Sequence, residues 1–167
     1  ERMIEKILEK LDMGLNLALV SDNGTPLISD PGYKLVSELR EKGYEISPIP
    51  GPSAVISALS VSGLPTDKFS FLGFLPKSEG KREEIISNYL KLENTLAIYE
   101  SPNRLFKLLT LVKEINDTVS ICAIRDMTKS RERIYCGNVD EVIDSLKEDG
   151  LKDNPHGEWV VLLSKKV

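Results

Sequence analysis

Ser21-Asp22-Asn23-Gly24-Thr25-Pro26-Leu27-Ile28-Ser29-Asp30-Pro31-Gly32-Tyr33 is the stretch on which the fold turns. Before it, Asn16 to Val20 reads as a short buried strand. After it, Tyr33 to Lys42 carries Leu35, Val36 and Leu39 at helical spacing, with Gly43 as the stop. The stretch therefore leaves a strand end and enters a helix. In an open α/β sheet, ligands sit in the crevice at the carboxyl ends of the strands, and a glycine admits a ligand that a side chain would exclude. Thr25-Pro26 and Asp30-Pro31 keep the residue before each proline extended, so the loop is stiff as well as open. Gly, Pro, Asp, Asn and Ser are equally the residues of ordinary turns, which leaves turn and ligand cradle as the two local alternatives.

With 167 residues, 41% of them hydrophobic, the chain can bury a real core and has room for one or two small domains. A formal charge of −4 argues against a protein coated in basic surface, though not against a local basic patch. Cys122 and Cys136 fall in predicted strands without metal-like spacing and read as free thiols of a reducing compartment. Together with one histidine they cannot complete a zinc site, so no metal is expected. No Walker-type lysine follows the glycine loop, which argues against phosphoryl transfer. No apolar run approaches the ~18 residues of a membrane span and nothing resembles a signal peptide, so a cytoplasmic protein is expected. There are no internal repeats.

Glu45 to Ile49 reads as a second strand, ending at Pro50-Gly51-Pro52-Ser53. A helix with small surface residues follows from Ser53 to about Ser62, and its N-terminus suits a polar ligand edge or a simple serine cap. A domain boundary is expected near Pro65, giving domains 1–65 and 66–167. Phe69 to Pro76 is an aromatic-rich strand, its rings expected in the core, and Lys77 to Arg82 an exposed polar loop. Glu83 to Leu92 is an amphipathic helix and Thr95 to Tyr99 a strand. Ser101-Pro102 reads as the cap and first turn of the next helix, which leaves Glu100 and Arg104 without a structural role. Val119 to Ile124 is a strand, and the Arg125–Arg133 loop after it is the densest positive cluster of the chain, read as a phosphate-facing or substrate-facing element. Ile134 to Cys136 is a strand, Gly137-Asn138 a turn, Val139 to Lys147 a helix capped by Asn138, and Glu158 to Ser164 the final strand. His156, beside a proline and a glycine, reads as a loop residue rather than a catalyst.

Five runs, SDNGTPLISDPGYKLV, PGPSA, FSFLGFLP, YESPNRL and RDMTKSRE, resemble in order and spacing the signatures of the ribosomal RNA small-subunit methylase branch of the tetrapyrrole methylase family. The resemblance implies an α/β two-domain fold of the class III methyltransferases that use S-adenosylmethionine (SAM), with the cofactor in the cleft between domains. It also implies methyl transfer to the 2′-hydroxyl of a cytidine in small-subunit (16S) ribosomal RNA or the 30S subunit, commonly by a homodimer. The family has an upstream strand and a TP-IGN loop, whereas this chain begins at Glu1 with Met3, Ile4, Ile7, Leu8 and Leu11 at helical spacing and no cap. A truncated N-terminal domain is therefore expected, and the chain alone is expected to be inactive.

The resemblance assigns Gly24, Thr25, Pro26, Leu27, Ser53, Ala54, Tyr99, Glu100 and Arg125 to the cofactor. It assigns Glu100, Arg104, Lys129 and Glu132 to catalysis, and Lys77, Lys81, Arg82, Arg104, Lys129 and Arg131 to RNA. Asn103 stands where the family usually has histidine, and Asp126 and Met127 replace Glu and Leu. A ribose hydroxyl is a poor nucleophile, so Glu100 and Glu132 are the candidate bases and the cations would hold phosphates or developing charge. The rival readings are a corrin or porphyrin C-methylase or diphthine synthase, which share fold and cofactor, and a non-catalytic binding or dimerisation module.

Overall fold

The computed structural model describes residues 2–165. The chain divides into two compact units, Glu1–Ser53 and Ala54–Val167.

The first unit carries α1 (Arg2–Asp12) and α2 (Tyr33–Glu41). Helix α2 ends as expected at Gly43. The Gly43 N–H donates to the Arg40 carbonyl at 3.1 Å and the Tyr44 N–H to that of Leu39 at 3.0 Å, a Schellman closure that needs Gly43 at φ 80°. The Tyr44 hydroxyl then donates to Asp12 at the end of α1, which raises the phenol pKa. The two strands expected at Asn16–Val20 and Glu45–Ile49 are not strands. Strands are stabilised by ladder bonds and cross-strand packing, and neither run has a paired neighbour among the described residues. Leu17, Leu19, Val20 and Ile49 are exposed.

The second unit is built on a five-stranded mixed sheet of β1 (Phe69–Phe74), β2 (Thr95–Glu100), β3 (Val119–Arg125), β4 (Arg133–Asn138) and β5 (Trp159–Lys165), in the order β1-β2-β5-β3-β4. β1 and β2 are parallel; β5 runs antiparallel between β2 and β3, and β4 pairs antiparallel with β3. Helices α4 (Glu79–Leu90), α5 (Pro102–Ile115) and α6 (Val139–Glu148) cover one face through Ile86, Leu105, Leu108, Leu109, Val142 and Leu146. Against the other face lies α3 (Ala54–Val61), whose Val55, Ala58 and Leu59 pack with Ala97, Cys122, Ile124 and Leu162. Ala58 is small enough to bring α3 close to the strands, as its composition implied. The Pro65 segment, where a domain boundary is expected from the sequence, belongs to this unit, and the Thr95 hydroxyl donates to the Pro65 carbonyl at 2.6 Å.

Several local expectations are corrected. Helix α4 starts at Glu79 rather than Glu83, so the expected 77–82 loop is largely helical and Arg82 is buried among the helix contacts. β4 runs through the expected Gly137-Asn138 turn, and Asn138 ends the strand while capping α6. Its Oδ1 accepts from the Glu141 N–H at 3.0 Å while its own N–H donates to Glu141 Oε2 at 2.9 Å, a reciprocal capping box. Cys122 and Cys136 are not free thiols. They face each other across the β3–β4 ladder with Cα atoms 4.1 Å apart and are joined as a disulfide. Register, which spacing in the sequence does not display, made them partners. In β1 the pairing slips between Phe71 and Gly73, so Phe71 and Phe74 reach the same face and both ring-pack on Tyr99, at 4.9 and 5.6 Å between centroids.

Tyr135 on β4 donates its hydroxyl to Asp149 Oδ2, just past α6, at 2.6 Å. Burial first, then the Asp149 carboxylate, pushes the phenol up to about 12 from 10. A raised pKa favours the protonated fold, so this contribution is complete below pH 10 and is lost as pH climbs through about 12. In an alkaline titration followed by tyrosinate absorbance, one of the five tyrosines should ionise last, and Tyr135→Phe should remove that step.

Candidate functional site

In the first unit the two loops singled out by sequence meet. The Thr25 hydroxyl donates to the Pro52 carbonyl at 3.0 Å, and a Cβ built on Gly51 would stand 3.2 Å from Thr25 Oγ1. Gly24 is required by its φ of 72°, since a Cβ there would meet the Pro52 carbonyl only at an ordinary 3.6 Å. The Ser21 hydroxyl donates back to the Gly24 carbonyl at 2.9 Å. Leu27 and Ser29 adopt φ of 73° and 62°, left-handed values that cost non-glycine residues about 1–2 kcal/mol each. Such strain is held only by a loop that is otherwise well determined. Ser53 ends this unit and Ala54 opens α3 of the next. A separate hollow of about 420 Å³ along α2, lined by Tyr33, Lys34, Ser37, Glu38, Glu41 and Lys42, includes none of the expected ligand residues.

In the second unit the expected residues collect at one end of the sheet. Trp159 of β5 pairs with Glu100 of β2 on one side and Arg125 of β3 on the other, and Arg125 pairs with Arg133 of β4. This row aligns the ends of β1, β2 and β3 with the start of β5. Residues in one row share a face, because strand side chains alternate. Glu100, Trp159 and Arg125 lie on the face of α4 to α6, while Tyr99 lies on the α3 face with Phe71 and Ile124. Tyr99 and its neighbour Glu100 thus serve opposite faces.

Glu100 and Arg104 do have a structural role. The Glu100 side chain is fully buried, and its Oε1 accepts from the Ser101 N–H at 2.8 Å and lies 3.2 Å from Arg104 Nε. The Arg104 Nη2 donates to the Leu75 and Pro76 carbonyls at 2.8 and 3.2 Å. One turn of α5 thereby ties the end of β1 to the end of β2. The Ser101 hydroxyl does not cap α5; the Glu100 carboxylate receives it and its N–H instead. Arg104 lies pinned across the turn expected to form an RNA lip. Lys77 before α4 and Lys81 in its first turn are exposed, whereas Arg82 is buried, with Nε and Nη1 lacking hydrogen-bond partners.

The Arg125–Arg133 loop is equally fixed. Arg125 is buried; its Nη1 bonds His156 Nε2 at 3.2 Å and its Nη2 donates to the Arg131 carbonyl at 3.3 Å. The Asp126 N–H donates to the Glu158 carbonyl at 2.8 Å, and Asp126 Oδ1 accepts the Glu158 N–H at 2.9 Å. Lys129 pairs with Glu158 at 2.7 Å, and Glu132 Oε2 accepts the Thr128 N–H at 2.6 Å. Asp126 and Thr128 sit at φ of 51° and 65°. Arg131 is exposed. His156, read from the sequence as a loop residue rather than a catalyst, does lie in a loop, and there it reaches Arg125. Only the register of β5 against β3 brings it to Arg125, and nothing in the local sequence carries that signal. Among the described residues no group of three or more His, Cys, Asp or Glu could hold a metal ion.

Removing Arg104 would leave a buried carboxylate without its cation. In urea unfolding, Arg104→Ala should cost about 3 kcal/mol. Glu100→Gln, which keeps an acceptor for the Ser101 N–H, should cost about 1 kcal/mol.

The family described as Tetrapyrrole (Corrin/Porphyrin) Methylases matches residues 1–143. The chain is 43% identical, over 98% of its length, to ribosomal RNA small subunit methyltransferase I of Rickettsia prowazekii, of which it spans 57%. It is 42% identical, over 99% of its length, to the protein of the same name from Thermotoga maritima, of which it spans 72%. Among solved structures, the methyltransferase CobJ superposes with a TM-score of 0.67 over 97% of this chain and 70% of that one, at 18% identity, a likeness of fold alone. With its loops and sheet order so placed, the chain belongs to the tetrapyrrole methylase family and, within it, to the ribosomal RNA small subunit methyltransferase I proteins.

Proposed function

We propose that this chain is part of a SAM-dependent methyltransferase acting on the 2′-hydroxyl of a cytidine in small-subunit ribosomal RNA, in the cytoplasm and as a homodimer. The observation that carries this reading is the 42% identity to a relative named for ribosomal RNA methylation, of which the chain spans 72%.

The residues fit the cofactor. The Gly24–Leu27 loop lies against Gly51 and Pro52, where Gly51 lets the Thr25 hydroxyl approach to a distance that a Cβ would hinder. A glycine-bearing loop of this kind can offer backbone groups to the polar edges of a ligand. When bound, SAM supplies a methyl group already activated by its sulfonium. The chain's task is then alignment and handling of charge. Lys77, Lys81, Lys129 and Arg131 are exposed and suited to phosphates. Glu132, half-buried with Oε2 on the Thr128 N–H, is better placed than the enclosed Glu100 to take the hydroxyl proton.

Tritiated methyl incorporation by the full-length protein should occur with small ribosomal subunits and not with a corrinoid; labelling of the corrinoid alone overturns the RNA assignment. Gly24→Ala, which forces a Cβ into the left-handed region at about 1–2 kcal/mol, should weaken SAM binding about tenfold in calorimetry. Glu132→Gln should lower kcat with SAM affinity unchanged.

A further inference from the structure

His156 is the sole histidine of the chain, and its two ring nitrogens meet partners that leave it one protonation pattern. Nδ1 lies 2.8 Å from the Asn154 carbonyl, which can only accept, so Nδ1 carries hydrogen. Nε2 lies 3.2 Å from Arg125 Nη1, which can only donate, so Nε2 is bare. The ring is the Nδ1–H tautomer, although neither its sequence context nor its exposure marks it as special.

The surrounding segment is built around that contact. The Trp159 indole N–H donates to the His156 carbonyl at 3.0 Å, anchoring it to the start of β5. Gly157 lies at φ 89° against the aliphatic stem of Arg125, and a Cβ there would fall 2.6 Å from Cγ and 2.8 Å from Cδ. Glu158 takes the Asp126 N–H and the Lys129 ammonium. Asn154 to Trp159 therefore grips Arg125 from its stem to its guanidinium. Arg125 in turn holds the Arg131 carbonyl, so the grip reaches the far end of the basic loop.

We propose that His156 is a positioning residue: carrying its proton on Nδ1, it accepts from Arg125 and so fixes the Arg125–Arg133 loop in the conformation that presents Lys129 and Arg131 to a polyanion. The grip rests on the geometry alone. Its consequence for RNA rests on the function proposed above.

Because there is one histidine, long-range proton–nitrogen NMR of the full-length protein, labelled at histidine, reads it without ambiguity. The Nδ1–H pattern is expected, and Arg125→Met should move the Nε2 resonance toward that of an imidazole nitrogen without a donor while Asn154 keeps the hydrogen on Nδ1. A wild-type ring in the Nε2–H form overturns the proposal, whether or not the substituted protein folds. In methyl-transfer assays with small ribosomal subunits, His156→Ala should raise KM about tenfold, the loss of one hydrogen bond to a charged group, with kcat nearly unchanged. His156→Gln, whose side-chain oxygen can replace Nε2 as acceptor, should restore KM. Equal losses in both variants overturn the acceptor role. A wild-type protein that methylates no RNA defeats the function proposed above, and the tautomer then decides the positioning role by itself.

Discussion

The antiparallel insertion of β5 between β2 and β3 is the constraint on which the second unit depends. Two parallel strands separated by one of opposite sense bring their carboxyl ends to the same edge as the inserted strand's amino end. Trp159, paired on both sides, sets that register. A slip of one residue would turn every side chain of β5 to the other face. It would also take Trp159 out of the α4–α6 core and carry His156 and Glu158 away from the loop they hold. Val160 to Leu163 is a continuous apolar run buried on both faces, so what opposes such a slip is the loss of the contacts that Trp159, His156 and Glu158 make at the start of the strand.

Charge is sorted by depth at this edge. Arg82, Arg104 and Arg125 are partly or wholly enclosed, and the latter two bond backbone carbonyls rather than solvent. Lys77, Lys81 and Arg131 remain outside. An acidic chain can thus keep a few cations in set places, the inner ones shaping the turns that carry the outer ones. A motif residue can also be the framework of a turn. Glu100 is the clearest case, because one oxygen of its carboxylate is engaged by its own helix start and by Arg104.

Elements whose stability is local were legible in the sequence. The periodicity of α5, the Asn138 cap and the Gly43 stop each depend on residues within a few positions, and all three formed as expected. The apolar runs of the second unit form the expected strands because each has a paired neighbour in the sheet. Asn16–Val20 and Glu45–Ile49 were misjudged because a strand is defined by its neighbour, and their apolar content says nothing about whether one is paired beside them. The disulfide and the His156–Arg125 contact were hidden by the same limit, since both are products of register between distant strands. The loops carrying Thr25 and Pro52 are expected from the sequence to converge near one crevice, and what joins them is a hydroxyl and a carbonyl that no spacing rule connects.

The displaced register in β1 has a further effect. Among the described residues β1 is the outermost strand on its side of the sheet, and the rim of such an edge is a row of main-chain donors and acceptors that a second chain could extend. The irregularity at Gly73 bends that rim, so a straight strand from another molecule would match it over only a few residues before falling out of step. The same irregularity that brings Phe71 and Phe74 onto Tyr99 thus works against edge-on strand pairing through backbone shape rather than through added charge.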